Sequence, residues 1–476
     1  MATLNFIVMN MDNLGYGDLG CYGSTKHRTP HIDQLARQGI RLSSFYSTSG
    51  VCTPSRASLL TGCYPRRIGM HVSGRGQCVL FPADPKGLNP DEKTLATILR
   101  QQGYATACIG KWHLGDQDPF LPTKHGFDLF FGCPYSEDMW PDDRHPEWPP
   151  LPLMRNERVI EAPPDRDNLT KRYTEESVRF IQANRSRPFF LYLAHAMPGS
   201  TDRPFSSLPF QGRSANGPYG DAIEELDWST GEILKTVEEL GLDERTVILF
   251  TSDNGAVYRD PPQGSNAPLR GWGYDTSEGA QRVPCLVRWS GTIPAGIVRD
   301  DVTTMMDVLP TLTRLAGARV PADRIIDGHD IFPILVNEPS AESPYDGPGF
   351  FYYYREQLQA VRSGRWKLYL PLAKKLGRLN GSLEGATRVE AELYDVRNDI
   401  SETKEASSDR PDVVRRLLAL AENARADLGD IDRAGANQRE AGWVENPRPQ
   451  LIRSSEEARD PHGPNRGVEP AGSGDA

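Results

Sequence analysis

Cys52-Thr53-Pro54-Ser55-Arg56-Ala57-Ser58-Leu59-Leu60-Thr61-Gly62 is the stretch around which the rest of the chain reads. Locally it spells a short helix. Thr53 can cap the amino end, and Pro54 suits the first helical position because its missing N–H would have no partner there. Gly62 can take the left-handed conformation that closes a helix. Cys52 then stands at the helix mouth, where free N–H donors and partial positive charge favour an anion or a developing oxyanion. The ordinary alternative is a buried structural cysteine, since free Cys is among the most buried residue types.

Outward from this stretch, apolar β-rich runs at residues 4–9, 40–45, 104–109, 188–194, 246–251 and 283–289 alternate with amphipathic patterns at 32–38, 93–102, 173–183, 222–240 and 305–316. Alternation of this kind predicts an α/β fold, a large mixed, mostly parallel sheet flanked by helices. In such sheets ligands bind outside the carboxyl ends of the strands. From about residue 344 the pattern changes to short strands at 349–354, 358–362, 366–370 and 392–395 and a helix at 412–428. These predict a smaller C-terminal α+β subdomain. The expected division is 1–343, 344–445 and a tail, 446–476, whose Pro, Gly and charge predict extended or disordered chain. The Pro-rich span 140–164 reads as a surface excursion.

The chain has 476 residues, enough for one large core plus a smaller unit. Its 54 Lys+Arg against 64 Asp+Glu give a net charge of −10, which argues against nucleic acid or an anionic membrane as the main partner. No apolar run of membrane-spanning length and no secretory leader is visible, so the expected location is the cytoplasm, with export open if a leader had been lost. The seven cysteines are odd in number and scattered, without zinc-site pairs or a disulfide framework.

Chemistry-bearing residues cluster after the strands. Asp12 and Asn13 follow the first, and Asp253 and Asn254 follow the run at 246–251; both pairs are hard oxygen ligands beside turn glycines, suited to Ca²⁺ or Mg²⁺. An Asx-Gly turn alone would explain either pair. Lys111 and His113 alternate in Gly110-Lys111-Trp112-His113-Leu114-Gly115, which would put both on one face of extended chain; a solvated loop is the plain alternative. His195 ends the apolar run at 188–194, where it could equally be a hydrogen-bonded structural histidine. Ser136 lies in Pro134-Tyr135-Ser136-Glu137-Asp138, and a loop serine is usually just solvated.

Together these segments resemble type I sulfatases, in the arylsulfatase A-like branch, across roughly residues 4–430. Cys-x-Pro-Ser-Arg at residue 52 would match by chance in roughly one chain per thousand, and five further motifs follow in order. The resemblance implies an alkaline-phosphatase-like fold and hydrolysis of sulfate monoesters. It further implies that Cys52 becomes formylglycine through a formylglycine-generating enzyme, and that Asp12, Asn13, Asp253 and Asn254 hold Ca²⁺, or Mg²⁺, with residue 52. By the same match Lys111 would steady the aldehyde hydrate and sulfate, and Arg56 would stabilise developing charge. His113 would act in proton transfer, His195 would protonate the leaving alcohol, and Ser136 would touch sulfate. The substrate would be a sulfated small molecule or carbohydrate.

Three departures stand out. Asn13 replaces a carboxylate, Gly199 stands where a histidine is frequent, and Gly273 stands where the family pattern Leu-Arg-Gly-Gly-Lys-Gly-Thr-Thr-x-Glu-Gly has its sulfate-binding lysine. Arg270 is the nearest replacement cation in sequence. If nothing compensates, Gly273→Lys is expected to raise turnover. The competing readings are a phosphate or phosphonate ester hydrolase of the same superfamily and a sulfate-binding protein without turnover.

Overall fold

Residues 5–12, Asn-Phe-Ile-Val-Met-Asn-Met-Asp, form a strand in which every residue is buried. Successive side chains of a strand point to opposite faces. Phe6 and Val8 accordingly join one apolar core, and Ile7 and Met9 join another. The computed structural model describes residues 3–376, 378–379, 382–383 and 389–452. Among these, ten strands make the main sheet: β1 Asn5–Asp12, β2 Ile40–Leu42, β3 Ala105–Gly110, β4 Leu129–Gly132, β5 Leu153–Arg155, β6 Arg158–Glu161, β7 Phe189–Pro198, β8 Thr246–Ser252, β9 Cys285–Arg288 and β10 Ile297–Arg299. Their spatial order is β10-β2-β9-β8-β1-β7-β3-β4-β5-β6. The central five, β8 to β4, are mutually parallel. Antiparallel pairs join β9 to β8 and to β2 on one side, and β5 to β4 and to β6 on the other. The sheet is therefore mixed and mostly parallel, as expected.

Helices cover both faces, which a parallel centre requires. α1 Pro30–Gln38, α2 Cys52–Thr61, α3 Leu95–Gln101, α4 Leu169–Ala183, α5 Gly217–Glu239 and α6 Val308–Leu315 follow in chain order. Leu59 and Leu60 of α2, Ile98 of α3 and Leu309 of α6 pack with Phe6 and Val8. Ile32 of α1, Tyr173 of α4 and Ile223 of α5 pack with Ile7 and Met9 on the far side. No described helix is long and apolar enough to cross a membrane.

The span expected as a surface excursion contributes β5 and β6, an edge hairpin. Asn156, in the left-handed region at φ 53°, and Glu157 form its two-residue turn, and Asn tolerates that conformation better than most residues.

Beyond residue 343, β11 Phe350–Tyr354, β12 Gln357–Ser363, β13 Trp366–Tyr369 and β14 Glu392–Asp395 form a four-stranded antiparallel sheet. α7 Pro411–Leu428 buries Val413, Leu417, Ala421 and Ala424 against Leu358, Ala360 and Leu368 of that sheet. A buried charge cluster joins it to the large unit. Glu278 accepts from Tyr46 (2.5 Å) on one side and from Lys367 Nζ and Tyr352 (3.0 Å each) on the other, with Arg282 at 3.5 Å and Arg362 at 3.9 Å. The chain after α7 returns to the large unit, where Gly442 pairs with Gly87 and Arg439 meets Glu92 at 2.6 Å. Of the expected tail, residues 446–452 lie along the large unit, Arg448 N–H donating to Gln117 at 2.8 Å. Residues 453–476 lie outside the described residues.

Candidate active site

α2 begins at Cys52, two residues earlier than the capping pattern suggested, with Val51 as an N-cap that makes no side-chain bond. Thr53 is used elsewhere: its hydroxyl donates to the His113 carbonyl (2.9 Å) and accepts from Leu80 N–H (3.3 Å). Gly62 does close the helix, at φ 69°. Arg56 lies one turn after Cys52, so its side chain falls on the same helix face. There Nε donates to Asp253 Oδ2 (2.9 Å), Nη2 to Asp12 Oδ1 (3.0 Å) and Nη1 to the Lys111 carbonyl (2.8 Å). Asp12 ends β1 and Asp253 follows β8, adjacent parallel strands whose register sets Met11 opposite Ser252. The parallel pairing thus brings together two carboxylates 241 positions apart.

Lys111, just after β3, donates from Nζ to Asp12 Oδ1 (2.7 Å), to Ser136 Oγ (2.9 Å) and to Cys52 Sγ (3.5 Å). All these residues are buried. Burial alone would raise the Asp12 carboxyl, but Lys111 and Arg56 more than reverse this and hold it below its ordinary value. Asp253 is pushed up to about 7 by burial and by Asp12. The Cys52 thiol is pushed well up, by burial first and by Asp12 second, against the pull of Lys111. The helix mouth does not overcome that desolvation, which favours the protonated over the reactive thiolate form of residue 52.

Oxygen ligands dominate the centre. Ligand atoms of Asp12, Cys52 and Asp253 lie within 4.8 Å of one another. Asn254 Nδ2 donates to Asn13 Oδ1, and Asn13 N–H to Asp253 Oδ1 (3.1 Å). Among the described residues, Asp12 Oδ2 and Asn254 Oδ1 are buried without partners. Orphaned buried oxygens in an acidic cluster fit a divalent cation, and the donor set suits Ca²⁺ or Mg²⁺. Sulfur is the misfit among these ligands, and an oxygen in its place would match them.

Lys111 and His113 do not share one face of extended chain, because His113 is in the left-handed region at φ 61°. Its Nε2 lies 2.9 Å from the Leu80 carbonyl, and Nδ1 is buried without a partner among the described residues. Burial, then Lys111, push its pKa well below the ordinary value. His195 on β7 lies 2.9 Å from Ser229 Oγ through Nε2, also with a bare Nδ1, and burial pushes it down to about 3. Ser136 joins the centre through Lys111. Glu137 beside it was not singled out from sequence; its carboxyl accepts from Ser136 at 3.3 Å and is pushed up to about 8 by burial. Adjacency to Ser136 was the available signal.

Arg270 makes its contacts with the C-terminal unit. It donates to Tyr394 (3.1 Å), meets Glu392 and Glu402 at 3.5 Å, and stacks over Tyr369 and Tyr394. Gly273, by contrast, faces the centre: a Cβ there would stand 3.4 Å from Asn254 Nδ2. It would also stand 2.9 Å from the Gly255 carbonyl and 3.1 Å from Val257. Backbone at that distance cannot swing aside, so the expectation for Gly273→Lys reverses. The substitution should lower kcat for a small sulfate ester and lower Tm, and a rise in turnover with unchanged Tm would show that the loop yields.

A helix-mouth residue set among acidic oxygen ligands at the carboxyl ends of a parallel sheet is an arrangement suited to a hydrolase site that could hold a metal ion. The sulfatase family model matches residues 4–318, and the chain belongs to that family as a sulfuric ester hydrolase. It is 37% identical to mouse steryl-sulfatase over 443 residues, covering 77% of this chain and 70% of that one. With the dog N-acetylgalactosamine-6-sulfatase it shares 38% over 379 residues, covering 77% and 71%. Among solved structures, the PsFucS1 sulfatase from Pseudoalteromonas sp. superposes with a TM-score of 0.79 at 28% identity over 89% of this chain and 90% of that one. Ps i-CgsB in complex with k-i-k-neocarrahexaose gives 0.74 at 27%, over 88% and 92%. The phosphonate monoester hydrolase of Agrobacterium radiobacter, at 19% identity and 0.59, shares the alkaline-phosphatase-like fold.

Proposed function

We propose that this sulfatase works with residue 52 as formylglycine, made by a formylglycine-generating enzyme. We further propose that Asp12, Asn13, Asp253 and Asn254 hold a divalent cation, Ca²⁺ first and Mg²⁺ second. The observation that carries this reading is the contact of Lys111 Nζ with both Asp12 and Cys52 beside two orphaned oxygens. When bound, the cation supplies Lewis-acid stabilisation of negative charge at residue 52 and on the sulfuryl oxygens. The hydrated aldehyde supplies an oxygen nucleophile where the buried thiol is a poor one. Arg56 fixes the two carboxylates, and Lys111 with Ser136 offers donors to the sulfate group. His113 with Nε2–H donated to Leu80 keeps a lone pair on Nδ1, the atom of a base. In a protonated His195, Nε2–H donates to Ser229 Oγ and Nδ1–H is the proton offered to the departing alcohol, leaving the neutral imidazole; the ester's negative charge raises the low affinity of this imidazole for that proton.

The names of the relatives point to sulfated sterols and sulfated carbohydrates as the two substrate classes. The seven cysteines, none of them in a disulfide among the described residues, support a reducing compartment, the cytoplasm. The test is hydrolysis of 4-nitrophenyl sulfate beside a phosphate diester, using protein coproduced with the modifying enzyme. Sulfate turnover should dominate, vanish on chelation and return with Ca²⁺. Faster phosphate turnover would favour the phosphoester reading that Gly273 raises, and binding of sulfated ligands without turnover would favour a non-catalytic role.

A further inference from the structure

Position 274, a glycine in the family pattern, is Tyr274 here, and its backbone sits at φ 73°, a region costly for a residue with a Cβ. Its N–H donates to the Gly50 carbonyl at 2.9 Å, two residues before Cys52. Its phenol lies close to Ser200 and within electrostatic reach of Cys52. Ser200 Oγ in turn donates to Asp138 Oδ2 at 3.0 Å, and Asp138 Oδ1 is buried without a partner among the described residues. Asp138 comes two residues after Ser136, and Ser200 two residues after the end of β7, which carries His195. Next to Tyr274, Trp272 packs edge-on against Tyr258 at 5.7 Å, and Tyr258 is 42% exposed. Three separate loops thus place a polar chain and an aromatic rim beside the reacting residue, at positions that the sulfate-handling chemistry does not use.

We propose that Asp138, Ser200 and Tyr274 form a subsite for the hydroxyl groups of a sugar ring, with Trp272 and Tyr258 as its aromatic wall, so that the preferred substrate is a sulfated carbohydrate. The inference rests on the sulfatase reading and selects between its two substrate classes. Ring hydroxyls can donate to the bare Asp138 oxygen and to the Tyr274 phenol oxygen, while the apolar C–H face lies on the indole. A sterol brings no donor to that carboxylate oxygen and would leave it unpaired. Sites built to hydrogen-bond a hydroxyl reject analogues that lack it.

The test uses formylglycine-bearing, Ca²⁺-loaded protein with monosulfated hexoses and N-acetylhexosamines, pregnenolone sulfate and 4-nitrophenyl sulfate. The best sugar sulfate should exceed the sterol sulfate in kcat/KM by at least about tenfold. Tyr274→Phe and Asp138→Ala should each lower the ratio of sugar to aryl kcat/KM by about 10–100-fold, mainly through KM. A preference for the sterol sulfate, or an unmoved ratio in both variants, overturns the proposal. If the protein hydrolyses none of the three ester types, the hydrolase reading fails separately and binding decides the subsite. The same sugar sulfates should then raise Tm of the parent protein and not of Asp138→Ala, and equal shifts overturn the subsite.

Discussion

Cys52→Ala is expected to abolish sulfate ester hydrolysis, a fall of roughly 10⁴–10⁶-fold, the scale seen when a catalytic nucleophile is removed. The reason is local. The thiol is 3% exposed, its pKa is pushed well up by burial and by Asp12, and it lies 3.5 Å from Lys111 Nζ. A protonated thiol in that setting is a poor nucleophile, and under the formylglycine proposal activity is expected from the oxidised form of residue 52. Two measurements check this. Peptide mass spectrometry of active protein should show residue 52 with the mass of an aldehyde in place of a thiol. Activity across preparations should scale with that modified fraction. Full activity in a preparation whose residue 52 is all unmodified cysteine would remove formylglycine from the mechanism. The alanine variant should keep the fold, because Cys52 makes no hydrogen bond that the helix requires, and its circular dichroism should match the parent.

The second large effect is on stability. Glu278 is a buried anion contacted by Lys367, with Arg282 and Arg362 close by, and it holds Tyr46 and Tyr352 from opposite sides of the contact between the two sheets. Burial would raise its carboxyl, but Lys367 first and then the two arginines bring it down to about 2. Glu278→Gln leaves three buried cations without their anion. Breaking a buried pair by removing one partner costs about 3–5 kcal/mol, because the remaining charge stays desolvated. For a chain of this length about 1 °C of Tm corresponds to each kcal/mol, so a fall of roughly 3–5 °C is expected in a calorimetric scan. A change below about 1 °C would show that water or a rearranged side chain already compensates the cluster.

Much of the architecture is local information. Strand runs at 4–9, 104–109, 188–194 and 246–251 match β1, β3, β7 and β8 within a few residues, because a strand buried on both faces is a continuous apolar run. The Asx pairs, Lys111 and His195 were legible for a related reason: each follows such a run, and the carboxyl edge of a parallel sheet is where a chain can present polar side chains. The edge hairpin β5–β6 was not legible. Its strands are three and four residues long, too short for a pattern, and they form against an edge already made by β4.

What the sequence by itself determined is which residue types end which elements; which of those ends meet was settled by the fold. Nothing near Arg56 in the chain says that its guanidinium clasps Asp12 and Asp253, since that depends on β1 and β8 being neighbours in parallel register. Thr53 reads as a cap and serves as a bridge to His113 and Leu80, because tertiary partners outbid a single capping bond. Arg270 is three residues from Gly273, and its guanidinium went to Tyr394, Glu392 and Glu402, brought close by the packing of the second sheet. Hydrogen bonds and ion pairs act over a few ångströms of space, and the folded backbone sets those distances by summing every strand register and turn between the two residues, a sum that no local pattern contains.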